Sequence, residues 1–140
     1  MIIGGVAIES ELGASGHSDA DVLAHSVTDA ILGALVLGDV GSHFPDTDPR
    51  WQGADSFVFL SEAVRMMKEL SYSVVNVDSV IELETPKLRP YFERIRANLA
   101  KVLETTPDCV SVKAKTGEGL DAVGTKQALR AEAVVLLVKT

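Results

Sequence analysis

Histidines and carboxylates crowd the first fifty residues of this chain, in the runs His17-Ser18-Asp19, His25 with Asp29, and Phe44-Pro45-Asp46-Thr47-Asp48-Pro49. Imidazoles and carboxylates converging from a helix start and a stiff loop have the chemistry of a metal site that handles a charged substrate. Asp21, His25 and Asp29 recur at i, i+4 and i+8, which puts them on one helix face at successive turns. A neutral imidazole steadied by a carboxylate one turn away presents a metal ligand, and Asp29 is expected to orient His25 in this way. A lone histidine on an apolar helix also serves as a structural group, and spacing alone leaves both readings open. His17 stands just ahead of a helix N-terminus, where N–H groups attract anions, so it suits donation to a phosphate. An exposed loop histidine fits that position equally well, and His43 receives no assignment.

The Phe44 to Pro49 segment combines two prolines with two aspartates, a composition that stiffens a loop and fixes its carboxylates as acceptors. Such groups suit polyol hydroxyls or a hard cation. An ordinary Asp-Pro turn explains the same residues without a ligand.

The elements that must position these groups alternate between strand and helix periods. Met1 to Ile8 reads as a strand, and Gly13 to Gly16 as a loop. From Asp19 to Leu37, apolar residues at Val22, Val27, Ala30, Ile31, Ala34, Leu35 and Leu37 form a helical stripe, with Ser18 or Asp19 as the cap and Gly38 as the stop. Asp55 or Ser56 caps a second helix to about Leu70, and Ser73 to Leu83 is rich in β-formers. Pro86 to Pro90 makes a rigid corner into a third helix that runs to about Glu104. Val110 to Lys115 is a strand, Thr116 to Lys126 a loop or short helix, and Gln127 to Val138 the last strand. The expected fold is a mixed α/β (α+β) layer arrangement, with helices on one face of a mixed β-sheet. Five consecutive apolar residues, Val134 to Val138, suggest that both faces of the last strand are buried. That favours a homo-oligomer whose sheets pack together, with a monomer carrying an extra covered strand as the alternative.

At 140 residues the chain fits one domain spanning 1–140, and 46% hydrophobic against 24% charged residues describe a globular protein. A net charge of -7 argues against nucleic-acid binding, which requires a basic surface. If the ligand carries phosphates, a metal, helix N-termini and a few lysines must hold it. The apolar start lacks a basic flank and meets Glu9 and Glu11 at once, unlike a signal peptide or membrane anchor, so a cytoplasmic location is expected. The single cysteine, Cys109, has no partner for a disulfide or a zinc pair and reads as a buried small residue.

Taken together, His17-Ser18-Asp19-Ala20-Asp21-Val22-Leu23-Ala24-His25, Thr28-Asp29-Ala30, Leu37-Gly38-Asp39-Val40-Gly41, the Phe44 to Pro49 loop and Gly53-Ala54-Asp55-Ser56 resemble the 2-C-methyl-D-erythritol 2,4-cyclodiphosphate synthase family. The resemblance continues in order through Asn76-Val77-Asp78, Pro86-Lys87-Leu88, Val112 to Gly119 and Glu132-Ala133-Val134. It implies a homotrimer with sites between neighbouring subunits, sheets packed around the trimer axis, and no membrane or nucleic-acid partner. It also implies conversion of 4-diphosphocytidyl-2-C-methyl-D-erythritol 2-phosphate to the cyclic diphosphate and CMP, in non-mevalonate isoprenoid precursor biosynthesis. By similarity His25 is a zinc ligand, and His17 and Thr116 position the reacting phosphates. Ser18 binds substrate, and Asp39, Val40, Gly41, Phe44, Pro45, Asp46, Thr47 and Asp48 fall on the methylerythritol side. Leu83, Glu84, Thr85, Pro86, Lys87, Leu88, Arg89, Lys115, Gly117 and Glu118 fall on the cytidine and diphosphate side, with Glu118 also a ligand of magnesium or manganese. Two cations would offset the phosphate repulsion that an acidic chain does not.

Two departures accompany the resemblance. Family members usually carry an Asp-x-His pair on a strand ahead of the one matched by Met1-Ile2-Ile3-Gly4-Gly5, and no such pair occurs here. Either the start lies upstream or that strand is lost. A lone His25 should hold zinc poorly, with Asp19 or Asp21 as weak substitutes. The second departure is Ala122 and Thr125, where many members have an aromatic residue and an arginine that hold an isoprenoid diphosphate on the trimer axis. Two readings follow, a working cyclase or a catalytically impaired trimer that binds cytidine nucleotides. The chain as written is expected to bind CDP and to turn over slowly or not at all.

Overall fold

The computed structural model describes residues 1–11 and 19–140. The N-terminal segment is expected as one strand but forms two short ones, β1 (Ile2–Ile3) and β2 (Val6–Ala7), paired antiparallel. The reason is Gly4-Gly5, both at positive φ (56° and 73°), which is the two-residue turn that reverses a chain between paired strands. A Cβ on Gly4 would also stand 2.5 Å from Ile95 Cγ2, so space and backbone alike require glycine there.

Helix α1 covers Val22–Ala34, starting later and ending earlier than the apolar stripe predicts. Its cap is Asp21, neither Ser18 nor Asp19, and its last turn gives way at Val36 (φ 57°) and Gly38 (φ 91°). Leu23, Ala24, Val27, Ile31 and Leu32 form its buried face, whereas Ala34 is exposed. A short helix α2 (Val40–His43) follows, then a 3-10 turn at Pro49–Trp51 and helix α3 (Ser56–Glu69), which Asp55 caps by accepting Phe57 N–H.

Strand β3 (Tyr72–Glu82) is central in a three-stranded sheet. It pairs in parallel with β4 (Val110–Lys115), Val77 facing Val110, and antiparallel with β5 (Arg130–Lys139), Asp78 facing Val134. Helix α4 (Phe92–Leu103) makes the crossover that a parallel pair needs. It ends at Glu104 in the left-handed conformation. Within the 116–126 segment lies a short helix α5 (Asp121–Gly124), so β5 begins at Arg130, three residues after its expected start. Cys109 ends a 3-10 turn half-buried, its Sγ 3.7 Å from Thr106 Oγ1, and so is less enclosed than its type predicts.

The sheet's two faces differ sharply. Ala131, Ala133, Val135 and Leu137 turn toward the helices and pack on a core that includes Leu23, Ile31, Leu60, Ile81 and Leu99. On the opposite face Val134 is 73% exposed, Leu136 57% and Val138 48%. Helices therefore cover one face of a mixed sheet, and within one chain the expectation that both faces of β5 are buried is met on that side only. No described helix is long and apolar enough to cross a membrane.

Candidate functional site

Two groups of residues gather at separate places. The first begins with Asp21, whose carboxylate accepts N–H groups from Gly4 (2.9 Å), Gly5 (2.8 Å) and Ala24 (3.0 Å). It thereby caps α1 and clamps the β1–β2 turn. Burial raises its carboxyl above the ordinary value, against those three donors, which lower it. Because Asp21 stands outside the helix at its cap, helical spacing does not carry it onto the face of His25, and its carboxylate is committed to the backbone.

Asp19 reaches the start of α3 instead, accepting Ser56 N–H (3.1 Å) and the Ser56 hydroxyl. Ser56 is fully buried, and its Oγ lies 2.9 Å from His25 Nε2. Ser56 is thus the polar partner of that ring nitrogen, a contact invisible in sequence across 31 residues. The expected partner, Asp29, points its Oδ1 at Val40 N–H (2.7 Å) and so ties α1 to α2. Asp39 caps α2 reciprocally with Ser42, accepting Ser42 N–H (2.9 Å) while Ser42 Oγ accepts Asp39 N–H (3.2 Å). This fixes Asp39, Val40 and Gly41 beside the first helix. His43 Nε2 faces the Leu37 carbonyl at 2.7 Å.

Across the Phe44 to Asp48 loop the side chains divide by role. Phe44 is buried, stacked on Phe59 with centroids 4.6 Å apart and edge-on to Trp51 at 5.2 Å. Phe59 in turn lies 5.8 Å from the His25 ring, so the loop is anchored next to the histidine. Asp46 and Thr47 are exposed and Pro45 half-buried. Asp48 caps the following turn through Arg50 N–H (2.9 Å) and pairs with the Arg50 guanidinium (2.7 Å). Phe44 and Trp51 also edge an open cleft of about 860 Å³ that continues along α3 past Glu62 and Arg65. Trp51 Nε1 is buried without a hydrogen-bond partner, the only such side-chain atom among the described residues. No sequence signal marked Trp51, although it lies two residues beyond Pro49.

The second group is a cavity of about 330 Å³ between the 83–89 corner and the end of β4, lined by Leu83, Glu84, Pro86, Lys87, Arg89, Lys115 and Thr116 among others. Leu83 and Leu88 are core side chains, and Leu83 N–H bonds the Lys115 carbonyl at 3.0 Å, which joins the two segments. Glu84 accepts Gly117 N–H (2.9 Å) and Gly119 N–H (3.2 Å), so it shapes the loop that carries Thr116 and Glu118. Thr116 Oγ1 accepts Glu118 N–H at 3.2 Å, and the Thr85–Pro86 peptide is cis. Thr85, Lys87, Arg89, Lys115, Thr116 and Glu118 are exposed at this rim.

Most residues expected on the cytidine side thus share one cavity, whereas of the described residues expected on the methylerythritol side Phe44 alone lines the other cleft. The two cavities share no lining residue. His17 and Ser18 lie outside the described residues. Among the described residues no group of three or more His, Cys, Asp or Glu side chains is placed to hold a metal ion. His25 offers one imidazole, fewer than the three protein ligands that a catalytic zinc site takes, and the other described donors do not gather beside it.

Comparison with known proteins follows this geometry. The model of the YgbB family matches residues 1–138. A 2-C-methyl-D-erythritol 2,4-cyclodiphosphate synthase of Solibacter usitatus is 54% identical over 139 residues, covering 99% of this chain and 87% of that protein. The protein of the same name from Synechococcus elongatus is 48% identical over the same shares. Among solved structures, a 2C-methyl-D-erythritol-2,4-cyclodiphosphate synthase in its CDP-bound form aligns with a TM-score of 0.90 at 39% identity, over 99% of this chain and 89% of that one. An IspF–CDP complex from Plasmodium falciparum aligns with a TM-score of 0.88 at 34% identity, over 99% and 83%.

Proposed function

Because the chain belongs to the YgbB family, we propose that it converts 4-diphosphocytidyl-2-C-methyl-D-erythritol 2-phosphate to 2-C-methyl-D-erythritol 2,4-cyclodiphosphate and CMP, a step of isoprenoid precursor biosynthesis. An oxygen of the substrate's 2-phosphate forms a bond to the β-phosphorus. The bond from that phosphorus to the bridging oxygen breaks, and CMP leaves with the electron pair. No covalent intermediate on the protein is needed, so the chain's task is to position the groups and offset their charge.

The observation that carries this reading is the 330 Å³ cavity, whose lining coincides with the two segments expected to hold the cytidine diphosphate. Lys87, Arg89 and Lys115 bring cations to its rim, which suits an anionic nucleotide on an otherwise acidic chain. Thr116 and Glu118 stand at the same mouth, Thr116 as a phosphate contact and Glu118 as a ligand of magnesium or manganese. His17 completes the contacts to the reacting phosphates. Ser18, the Asp39 to Gly41 turn and the Phe44 to Asp48 loop receive the methylerythritol, with Asp46 as the exposed carboxylate for its hydroxyls.

Leu83 to Arg89 meet Lys115 and Thr116 at one cavity, and Phe44 edges a separate cleft that shares no lining residue with it, which supports sites formed between subunits of a homotrimer. The bare sheet face of Val134, Leu136 and Val138 supports it too, since contiguous exposed apolar side chains mark an association surface. A divalent cation bound at His25 would supply charge neutralisation to the phosphates. The described residues leave the donor set of such a cation incomplete. One domain in the cytoplasm, free of membrane and nucleic acid, accords with the charge and with the helix lengths.

The direct test is calorimetric titration with CDP and UDP. CDP is expected to bind at one site per chain, and Lys115→Ala to weaken it about tenfold, the loss of one charge-assisted contact. Equal affinity for UDP, or unchanged CDP binding in Lys115→Ala, would overturn the assignment of this cavity.

A further inference from the structure

We infer that Ser56, held by Asp19, is a positioning residue that fixes the tautomer of His25, with the proton on Nε2 and the lone pair on Nδ1. The hydroxyl of Ser56 has one hydrogen, and the groups it meets include the Asp19 carboxylate and His25 Nε2, the latter at 2.9 Å. A carboxylate only accepts, whereas an imidazole nitrogen donates or accepts according to where its proton lies. The close contact of Ser56 Oγ with Asp19 Oδ1 therefore takes the hydroxyl hydrogen. Toward His25 the serine then offers lone pairs, so the hydrogen in that bond belongs to Nε2.

The reverse arrangement, with the hydroxyl donating to Nε2, would press two acceptor oxygens together in a buried place. Asp19 is well placed for its part. It also accepts Ser56 N–H at 3.1 Å at the first turn of α3, where the helix favours negative charge, and Asp21 N–H at 3.2 Å. Ser56 has no rotational freedom to spare, being fully buried. Outer-shell partners of this kind set the tautomer and direction of an imidazole ligand. Here the chain runs carboxylate, hydroxyl, imidazole, and turns the Nδ1 lone pair into the acceptor.

The inference deepens the cyclase reading and rests on it only for what Nδ1 is used for. Its test needs neither substrate nor metal, so its failure is separate from a failure to bind CDP. In ¹⁵N NMR of the labelled full chain above the titration range of its histidines, the acceptor nitrogen of a neutral imidazole resonates well downfield of the protonated one. His25 is expected to show the downfield signal on Nδ1. His43, whose Nε2 faces the Leu37 carbonyl, is the internal reference with the same tautomer. Ser56→Ala should lower the ratio of the two His25 tautomers roughly five- to tenfold, the loss of one hydrogen bond, and leave His43 unchanged. Ser56→Thr, which keeps the hydroxyl, should restore it. A downfield signal on Nε2 of His25 in the unaltered chain would overturn the inference, even if the variants fail to fold. An unchanged ratio in a folded Ser56→Ala would do the same.

Discussion

Asp21 Oδ1 accepts the N–H of Gly4 at 2.9 Å, so the cap of α1 is also the clasp of the β1–β2 turn. Asp21→Ala should cost about 2–4 kcal/mol in urea denaturation, because a helix cap and buried N–H partners are lost together. The cost depends on pH. Burial raises the native carboxyl above 3.8, so the folded state holds its proton over a range in which the unfolded state has released it. Asp21's contribution is therefore full below 3.8 and diminishes as pH rises through the native value. Denaturation at pH 4 and pH 7 should show the smaller Asp21→Ala penalty at pH 7. A larger one there would place the native carboxyl below its ordinary value.

Trp51 buries an indole N–H with nothing to receive it, at a desolvation cost of about 1–3 kcal/mol. Trp51→Phe keeps an aromatic ring beside Phe44 and Phe59 and removes that donor. The expected change is a gain of about 1 kcal/mol in chemical denaturation. A loss of that size would mean that the ring's bulk outweighs its stranded donor.

The exposed β5 face predicts the assembly. Leu136→Lys should cost about 3 kcal/mol per interface, roughly a hundredfold in association, by losing apolar burial and stranding a charge. Sedimentation should find a trimer for the parent chain and folded monomer for the variant at the same concentration. A variant that sediments with the parent would remove this face from the interface.

The site residues should separate by role. In a chain given the Asp-x-His strand ahead of Met1, His25→Ala should abolish both zinc content and activity. Thr116→Ala should lower turnover about 10²- to 10³-fold, as loss of a transition-state contact does, with zinc retained. Metal analysis and turnover on the two proteins check this, and equal zinc loss in both would contradict the assignments.

Long periodic segments were legible from residues alone. Asp55-Ser56 announces α3, the β-formers from Ser73 announce β3, and Val110–Lys115 falls where expected. The start of α1 was not, because Asp19 and Asp21 are both good caps. The choice between them is made by partners far along the chain, Ser56 for one and Gly4 with Gly5 for the other. Gly4-Gly5 itself carried a hairpin signal that the apolar run around it masked. The family motifs at Leu83 to Arg89 and at Lys115-Thr116 meet at one cavity. Ser56 and Trp51 were missed for a physical reason. Ser56 was read only as a possible helix cap and Trp51 belongs to no local pattern, and their significance lies in a hydroxyl shared across 31 residues and an indole N–H that burial leaves unmatched.

The central claim is the reaction, and ³¹P NMR follows it most directly. The chain given an Asp-x-His strand ahead of Met1, supplied with zinc and magnesium, is incubated with 4-diphosphocytidyl-2-C-methyl-D-erythritol 2-phosphate. The account predicts that the 2-phosphate monoester signal disappears as cyclic diphosphate and CMP signals grow in equal amounts. Persistence of the monoester in a protein that binds CDP would contradict it and leave a nucleotide-binding protein in place of the cyclase.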